Sequence, residues 1–227
     1  MPYNNTTSVT RITNPLEAFE KCKTIAASIH EPVMSAVALD ILEEKKECLL
    51  TVKGSDWQHH NYAGGLIVHI CNVAQISVNM GEFYEGLVSL DMIKFCALLH
   101  DMGKCMDYEE QTVFENIHSI KMNQALLGHS FEGAFYVAEK LRNAYNANTT
   151  KSNADYIDNL IVQVSHCIGA HMDGFGACAK QQMFEVLLIG CADKMDAYLE
   201  QTVIENNQDS LSFIIGTGEI FYKSCIK

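Results

Sequence analysis

The sequence predicts an all-α protein on three observations. Its three prolines all fall within the first 32 residues, so nothing after Pro32 forbids a helix. Two of them mark helix starts, Asn14-Pro15 and Glu31-Pro32. Beyond them, apolar stretches of helical length are separated by short polar or glycine-bearing breaks.

The first helix opens at Asn14, a capping side chain followed by proline at the first helical position; Leu16, Phe19, Ile25 and Ile29 give it partial helical spacing. The second runs from Pro32 through Val33, Val37, Leu39 and Leu42 into the charged run Glu43 to Glu47, read as a solvated helix end. After a break around Lys53 to Asp56, Gly64-Gly65 opens an apolar stretch, Leu66 to Met80, that reads as a buried helix. Another runs from Leu90 to Leu99 and stops at His100-Asp101-Met102-Gly103, where Gly103 suits a left-handed cap. Cys105 to Lys121 lacks clear helical periodicity, and a short hairpin or an ordered loop is expected over about 105–121. Helices resume at about Ser130 to Tyr145, Ala154 to Ile168 and Gln181 to Val203, with a surface loop from Asn146 to Asn153. Gly174-Phe175-Gly176 reads as a flexible loop, and Leu211 to Phe221 is apolar enough to dock, as helix or as strand.

With 227 residues, 48% of them hydrophobic, the chain can bury a core without disulfide staples. Its formal net charge is -12, and only Arg11 and Arg142 are arginines, which argues against avid binding to long nucleic acid. A small anionic substrate held by metal ions remains compatible with that charge. The nine cysteines form no C-x-x-C pair and mostly have apolar flanks, the pattern of a reducing compartment. The first residues lack the order of a signal peptide, and no apolar run approaches the ~18 residues that span a bilayer. A cytoplasmic, unanchored protein is expected, with its oligomeric state open.

Nine histidines, several in or beside apolar helices, need explaining. A lone histidine on an apolar face is more often a satisfied core residue than a ligand. Several of them with an adjacent aspartate are what divalent transition metals require. The most telling element is Ala97-Leu98-Leu99-His100-Asp101-Met102-Gly103-Lys104: at a helix end the chain can turn two neighbouring side chains toward one ion.

The order of His69, then His100-Asp101, then Asp193 resembles the H…HD…D pattern of the HD-domain metal-dependent phosphohydrolases. Gly128-His129 and Ser165-His166 resemble further elements of binuclear members. The resemblance runs from about His59 to Leu199 and implies an all-α HD-domain helical bundle. The chain then reads as one domain over 1–227, with 1–58 a helical extension, 59–203 the core and 204–227 a C-terminal tail. Within the superfamily, His59 to Leu66 resembles the HHAYPGGLLEH segment of YhaM-like 3′-to-5′ exoribonucleases. Those enzymes carry an added OB-type domain, whereas the residues before His59 read as helical.

The resemblance implies that His69, His100, Asp101 and Asp193 hold a divalent ion (Mn, Co, Ni, Mg, Fe or Zn), with Asp101 bridging to a second near His129 and His166. Cys167 stands where a binuclear site would want imidazole. Three states stay open: one ion, two with the second weaker, or a site recruiting His171. The favoured one is a single tightly held ion with a possible second. On a continuing helix His171 would lie about 140° from His166, so it helps only if the helix ends near Gly169. The catalytic assignments are Asp101, Lys104 and His60; the substrate-binding ones are His60, Lys104 and His171. Lys104 either steadies phosphate charge or complements a helix C-terminus. His59 is expected to be structural, His30 and His118 to be surface or loop residues. The expected activity is hydrolysis of a nucleotide or another small phosphate ester. The alternatives are 3′-to-5′ exonuclease or phosphodiesterase action on short oligonucleotides, and a non-catalytic metal-clamped module.

Overall fold

The computed structural model describes residues 11–55, 59–109, 126–148, 154–173, 177–205, 211–213 and 220–222. It is an all-α bundle with one small two-stranded appendage. Helix α1 (Pro15–Ala27) is capped by Asn14, whose side chain accepts from the backbone N–H groups of Leu16 and Glu17 at 3.0 and 3.1 Å. It buries Ala18, Phe19, Cys22, Ile25 and Ala26. Replacing Asn14 with alanine is expected to cost about 1 kcal/mol, typical of a lost cap. For a chain of this size that is a fall in Tm of roughly 2–4 °C, readable by thermal denaturation.

Helix α2 (Pro32–Glu44) starts on the Glu31 carboxylate, which accepts from Met34 N–H at 2.6 Å. The charged run that follows holds a turn at Lys45 and then helix α3 (Lys46–Thr51). Glu43, Glu44, Lys46 and Glu47 are exposed as expected, but Lys45 is buried, its ammonium 3.5 Å from Glu44 and over the ring of Tyr136.

Helix α4 (Gly65–Phe83) is the central element. Residues 65–75 are buried without interruption, His69, Asn72 and Gln75 included, so it is enclosed on all sides, and it packs against α1, α3 and two of the later helices. Each fully buried Leu, Ile or Val of this stretch contributes about 1.5–3 kcal/mol relative to an exposed one. Helix α5 (Leu90–Leu99) is capped by Ser89 and packs along α4.

The expected hairpin or loop over 105–121 is replaced, in its described part, by helix α6 (Gly103–Glu109); residues 110–121, with His118, lie outside the described residues. Gly103 is no left-handed cap. It is helical, and it is small because α6 presses on the next helix: an added Cβ would lie 2.0 Å from the carbonyl oxygen of His129. Helix α7 (Gly128–Asn148) extends into the stretch expected to be a loop, of which 149–153 lie outside the described residues. Helix α8 (Ala154–Gly169) and helix α9 (Phe184–Glu205) complete the bundle, while Gly174 to Gly176 lie outside the described residues. Strands β1 (Leu211–Phe213) and β2 (Ile220–Tyr222) pair antiparallel, Ser212 opposite Phe221, so the apolar tail contributes strand.

One buried cluster runs through residues of α1 to α9. The eight cysteines among the described residues are free thiols, and Cys22, Cys71, Cys96, Cys105 and Cys167 are core residues. No described helix is long and apolar enough to cross a membrane.

Candidate metal centre

Five elements bring their ends or faces to one buried place. His69 lies in the second turn of α4, fully buried. His100 caps the C-terminus of α5 in helical conformation, and Asp101 follows in the turn before α6. His129 is the second residue of α7, entered through Gly128 at φ 74. Helix α8 ends at Gly169, which frees the chain to turn His171 inward. Asp193 and Asp196, three apart, share a face of α9.

Asp101, 1% exposed, is the centre. Its Oδ2 lies 2.7 Å from Lys104 Nζ, 3.5 Å from His100 Nε2 and 3.6 Å from His69 Nε2. Its Oδ1 lies 3.3 Å from His129 Nε2 and 3.8 Å from His171 Nε2. Burial alone would raise the pKa of this carboxyl, but Lys104, His100 and His129 hold it well below the usual range. Asp193 reaches the same place from α9, its Oδ1 3.0 Å from His69 Nε2.

Backbone carbonyls set the histidine tautomers. His100 donates Nδ1–H to Ala97 O at 2.8 Å and His171 donates Nδ1–H to Ile168 O at 2.6 Å, so each presents a bare Nε2 to Asp101. His69 donates Nδ1–H to Asp196 at 2.8 Å and likewise turns Nε2 inward. Burial pushes His129 down to about 3 and lowers His171, which keeps both imidazoles neutral. His69 is the exception: burial opposes its charge, but Asp193 and Asp196 outweigh burial and lift its pKa to about 10.

The donor set fits a divalent ion. His69, His100 and Asp101 offer ligand atoms within 4.8 Å of one another, and so do Asp101, His129 and His171. Among the described residues, His69 Nε2, His100 Nε2 and Asp101 Oδ1 are buried with no hydrogen-bond partner. Three orphaned polar atoms at one point are costly unless something else satisfies them, and imidazole with carboxylate is the set that first-row divalent ions favour.

Some residues expected at the site go elsewhere. His166 does not join: its Nε2 accepts from Gln182 N–H at 3.1 Å, and His171, past the helix end, stands beside Asp101 instead. Cys167 is buried against Cys96 in the core, its thiol turned away from any ligand role. Lys104 stands in the first turn of α6, not at a helix C-terminus, and bonds Asp101 and Gly54 O. His30 is exposed beside Asp91.

The two adjacent histidines have different surroundings. His60, 1% exposed, has both nitrogens engaged, Nε2 with Asp196 at 2.7 Å and Nδ1 with Tyr62 Oη at 3.0 Å. His59 has neither nitrogen partnered among the described residues, and its ring centre is 4.9 Å from that of His69. Burial, then the neighbouring His69 and Lys104, push its pKa down to about 3. Sequence reasoning also passed over Asp196, whose signal was its spacing from Asp193, and the Arg11–Glu200 ion pair beside His60.

A helical bundle that gathers histidines and aspartates from separate helix ends around one buried aspartate has the donor set of a metal-binding domain. The HD domain family model matches residues 66–198, more than half of the chain and all of the residues around Asp101. The chain belongs to the HD domain family, a family of metal-dependent phosphohydrolases in general. Comparison with curated proteins and with solved structures gave no match.

Proposed function

We propose that the protein is a divalent-metal-dependent phosphohydrolase that acts on a nucleotide or another small phosphate ester. The observation that carries this reading is the pair of donor groups sharing Asp101. His69, His100, Asp101 and Asp193 would hold the tighter ion, and Asp101, His129 and His171 a second, weaker one. When bound, such an ion supplies a nucleophile from water at neutral pH and polarises the phosphoryl group. The histidine-rich donor set favours iron, cobalt, nickel or zinc over magnesium, with manganese between them.

The chain's own residues do the rest. Lys104 fixes Asp101 and keeps a cation beside the phosphate position. His59, neutral and without a partner among the described residues, is the better candidate for a substrate-facing imidazole, and His60, with both nitrogens engaged, the poorer one. The net charge of -12 favours a small substrate over long nucleic acid. The free cysteines fit a cytoplasmic setting, and the continuous core fits a single domain.

The test is metal analysis of the purified protein with a screen of nucleotides and phosphate esters under added Mn2+, Co2+, Ni2+ or Mg2+. Bound metal with hydrolysis of a small ester is the expected result; no metal and no turnover would overturn the proposal. The phrase His59 to Leu66 favours a second reading, a 3′-to-5′ activity on short oligonucleotides. Shortening of labelled oligoribonucleotides in preference to mononucleotide hydrolysis would establish it. Metal uptake without turnover of any ester or oligonucleotide would mark a metal-clamped module.

A further inference from the structure

His60, Asp196 and His69 form a buried chain that no substrate contact explains. We infer that His60 and Asp196 are positioning residues, which fix the ring of His69 so that Nε2 alone faces the metal. The inference rests on the metal-centre reading above.

A single oxygen, Asp196 Oδ2, accepts from His60 Nε2 at 2.7 Å and from His69 Nδ1 at 2.8 Å. An ionised carboxylate only accepts, so both nitrogens must carry protons. His69 is then left with Nε2 for a ligand bond, and its ring cannot rotate without breaking the contact. These three side chains also lie close enough to hold an ion themselves. Their separations argue otherwise: two ~2.0 Å bonds at a tetrahedral angle place ligand atoms roughly 3.3 Å apart, and these pairs sit at hydrogen-bond distance.

The far end of the chain is held just as firmly. His60 is the one non-glycine residue with positive φ among the described residues, at 49°, a conformation that persists only where its surroundings over-determine it. Its carbonyl accepts from Gly54 N–H at 3.0 Å and Tyr62 N–H at 2.9 Å. Its Cβ packs where Gly54 has none, since a Cβ there would lie 2.7 Å away. Tyr62 Oη meets Nδ1, the nitrogen left without a proton. Because Asp196 lies three residues from Asp193, one helix carries both the carboxylate on the inner side of His69 and the one that orients it from behind.

The experiment is a titration of the metal-free protein with Co2+ alone, following the visible ligand-field spectrum and the dissociation constant, with far-UV circular dichroism as the folding check. Asp196→Leu keeps the branched shape but removes the acceptor of both N–H groups, so nothing holds the His69 ring or its Nδ1 proton in place. Weakening of Co2+ binding by about 10–100-fold, the usual effect of losing such an outer partner, with an altered spectrum and unchanged helicity, is the expected result. His60→Ala is expected to weaken binding similarly and His60→Gln, which restores a donor to Asp196, to recover most of it. Equal affinity and an identical spectrum in wild type and Asp196→Leu would overturn the positioning role alone. A wild type that takes up no Co2+ would overturn the metal-centre reading and this inference together.

Discussion

Asp101→Ala is expected to leave the purified protein without bound metal and to lower phosphate-ester hydrolysis by more than about 100-fold, beyond the range reached by changing outer partners of a ligand. No other side chain faces so many of the candidate ligands. Its two oxygens address His69 and His100 on one side and His129 and His171 on the other. Without it both donor groups lose their only shared carboxylate, and the four imidazoles keep a single carboxylate, Asp193 beside His69, on one side only. Lys104 also loses its partner, but it is 20% exposed and keeps Gly54 O, so its ammonium can turn toward water. Helicity by circular dichroism should therefore persist while metal content by elemental analysis and turnover fall together. Asp101→Asn, which keeps the volume, should fail in the same way, because a neutral amide cannot replace the bridging charge.

Gly65→Ala is expected to destabilise the fold by about 3 kcal/mol, the upper part of the overpacking range. For this chain length that is a fall in Tm of roughly 6–12 °C, measured by thermal unfolding. An alanine Cβ at this position would lie 1.9 Å from the carbonyl oxygen of His60 and 2.9 Å from its carbon. That carbonyl cannot retreat cheaply, because it accepts from both Gly54 and Tyr62. Gly86→Ala is the comparison: its φ of 86° strains any side chain, but nothing lies within 4 Å. Its cost should stay at about 1–2 kcal/mol, the backbone penalty alone. The two variants should differ further in Co2+ affinity, since only Gly65 touches the loop that carries His60.

Much of the fold could be read because its signals are local. Asn14-Pro15 and Glu31-Pro32 cap helices whatever surrounds them, and eleven successive buried residues in α4 need no partner to look buried. Helix α6 was hidden because seven residues are too few to show a period. Gly103 misled because glycine serves two ends, a left-handed turn or a close approach of backbones, and only the position of α7 decides between them.

The site divides in the same manner. His69, His100, Asp101 and Asp193 could be picked out as a set by motif order, and the structure gathers them. The choice between His166 and His171 turned on where α8 stops, a single glycine. The different surroundings of His59 and His60 could not be read at all. Neighbours in a loop exchange faces when one of them takes positive φ, and that conformation depends on Gly54 and Gly65, which flank the loop. Asp196 was visible as a residue but not as a partner, because its significance lies in the back edge of an imidazole on another helix.

The contact between Gly103 and the carbonyl of His129 has a consequence for metal chemistry. Gly103 follows Asp101 by two residues, and the oxygen it touches belongs to the backbone of His129 itself. Main chain therefore sets the gap between the two donor groups, like a shim of fixed thickness between α6 and α7. Any side chain at position 103, however inert, would change the spacing of the two donor groups without altering one of their residues.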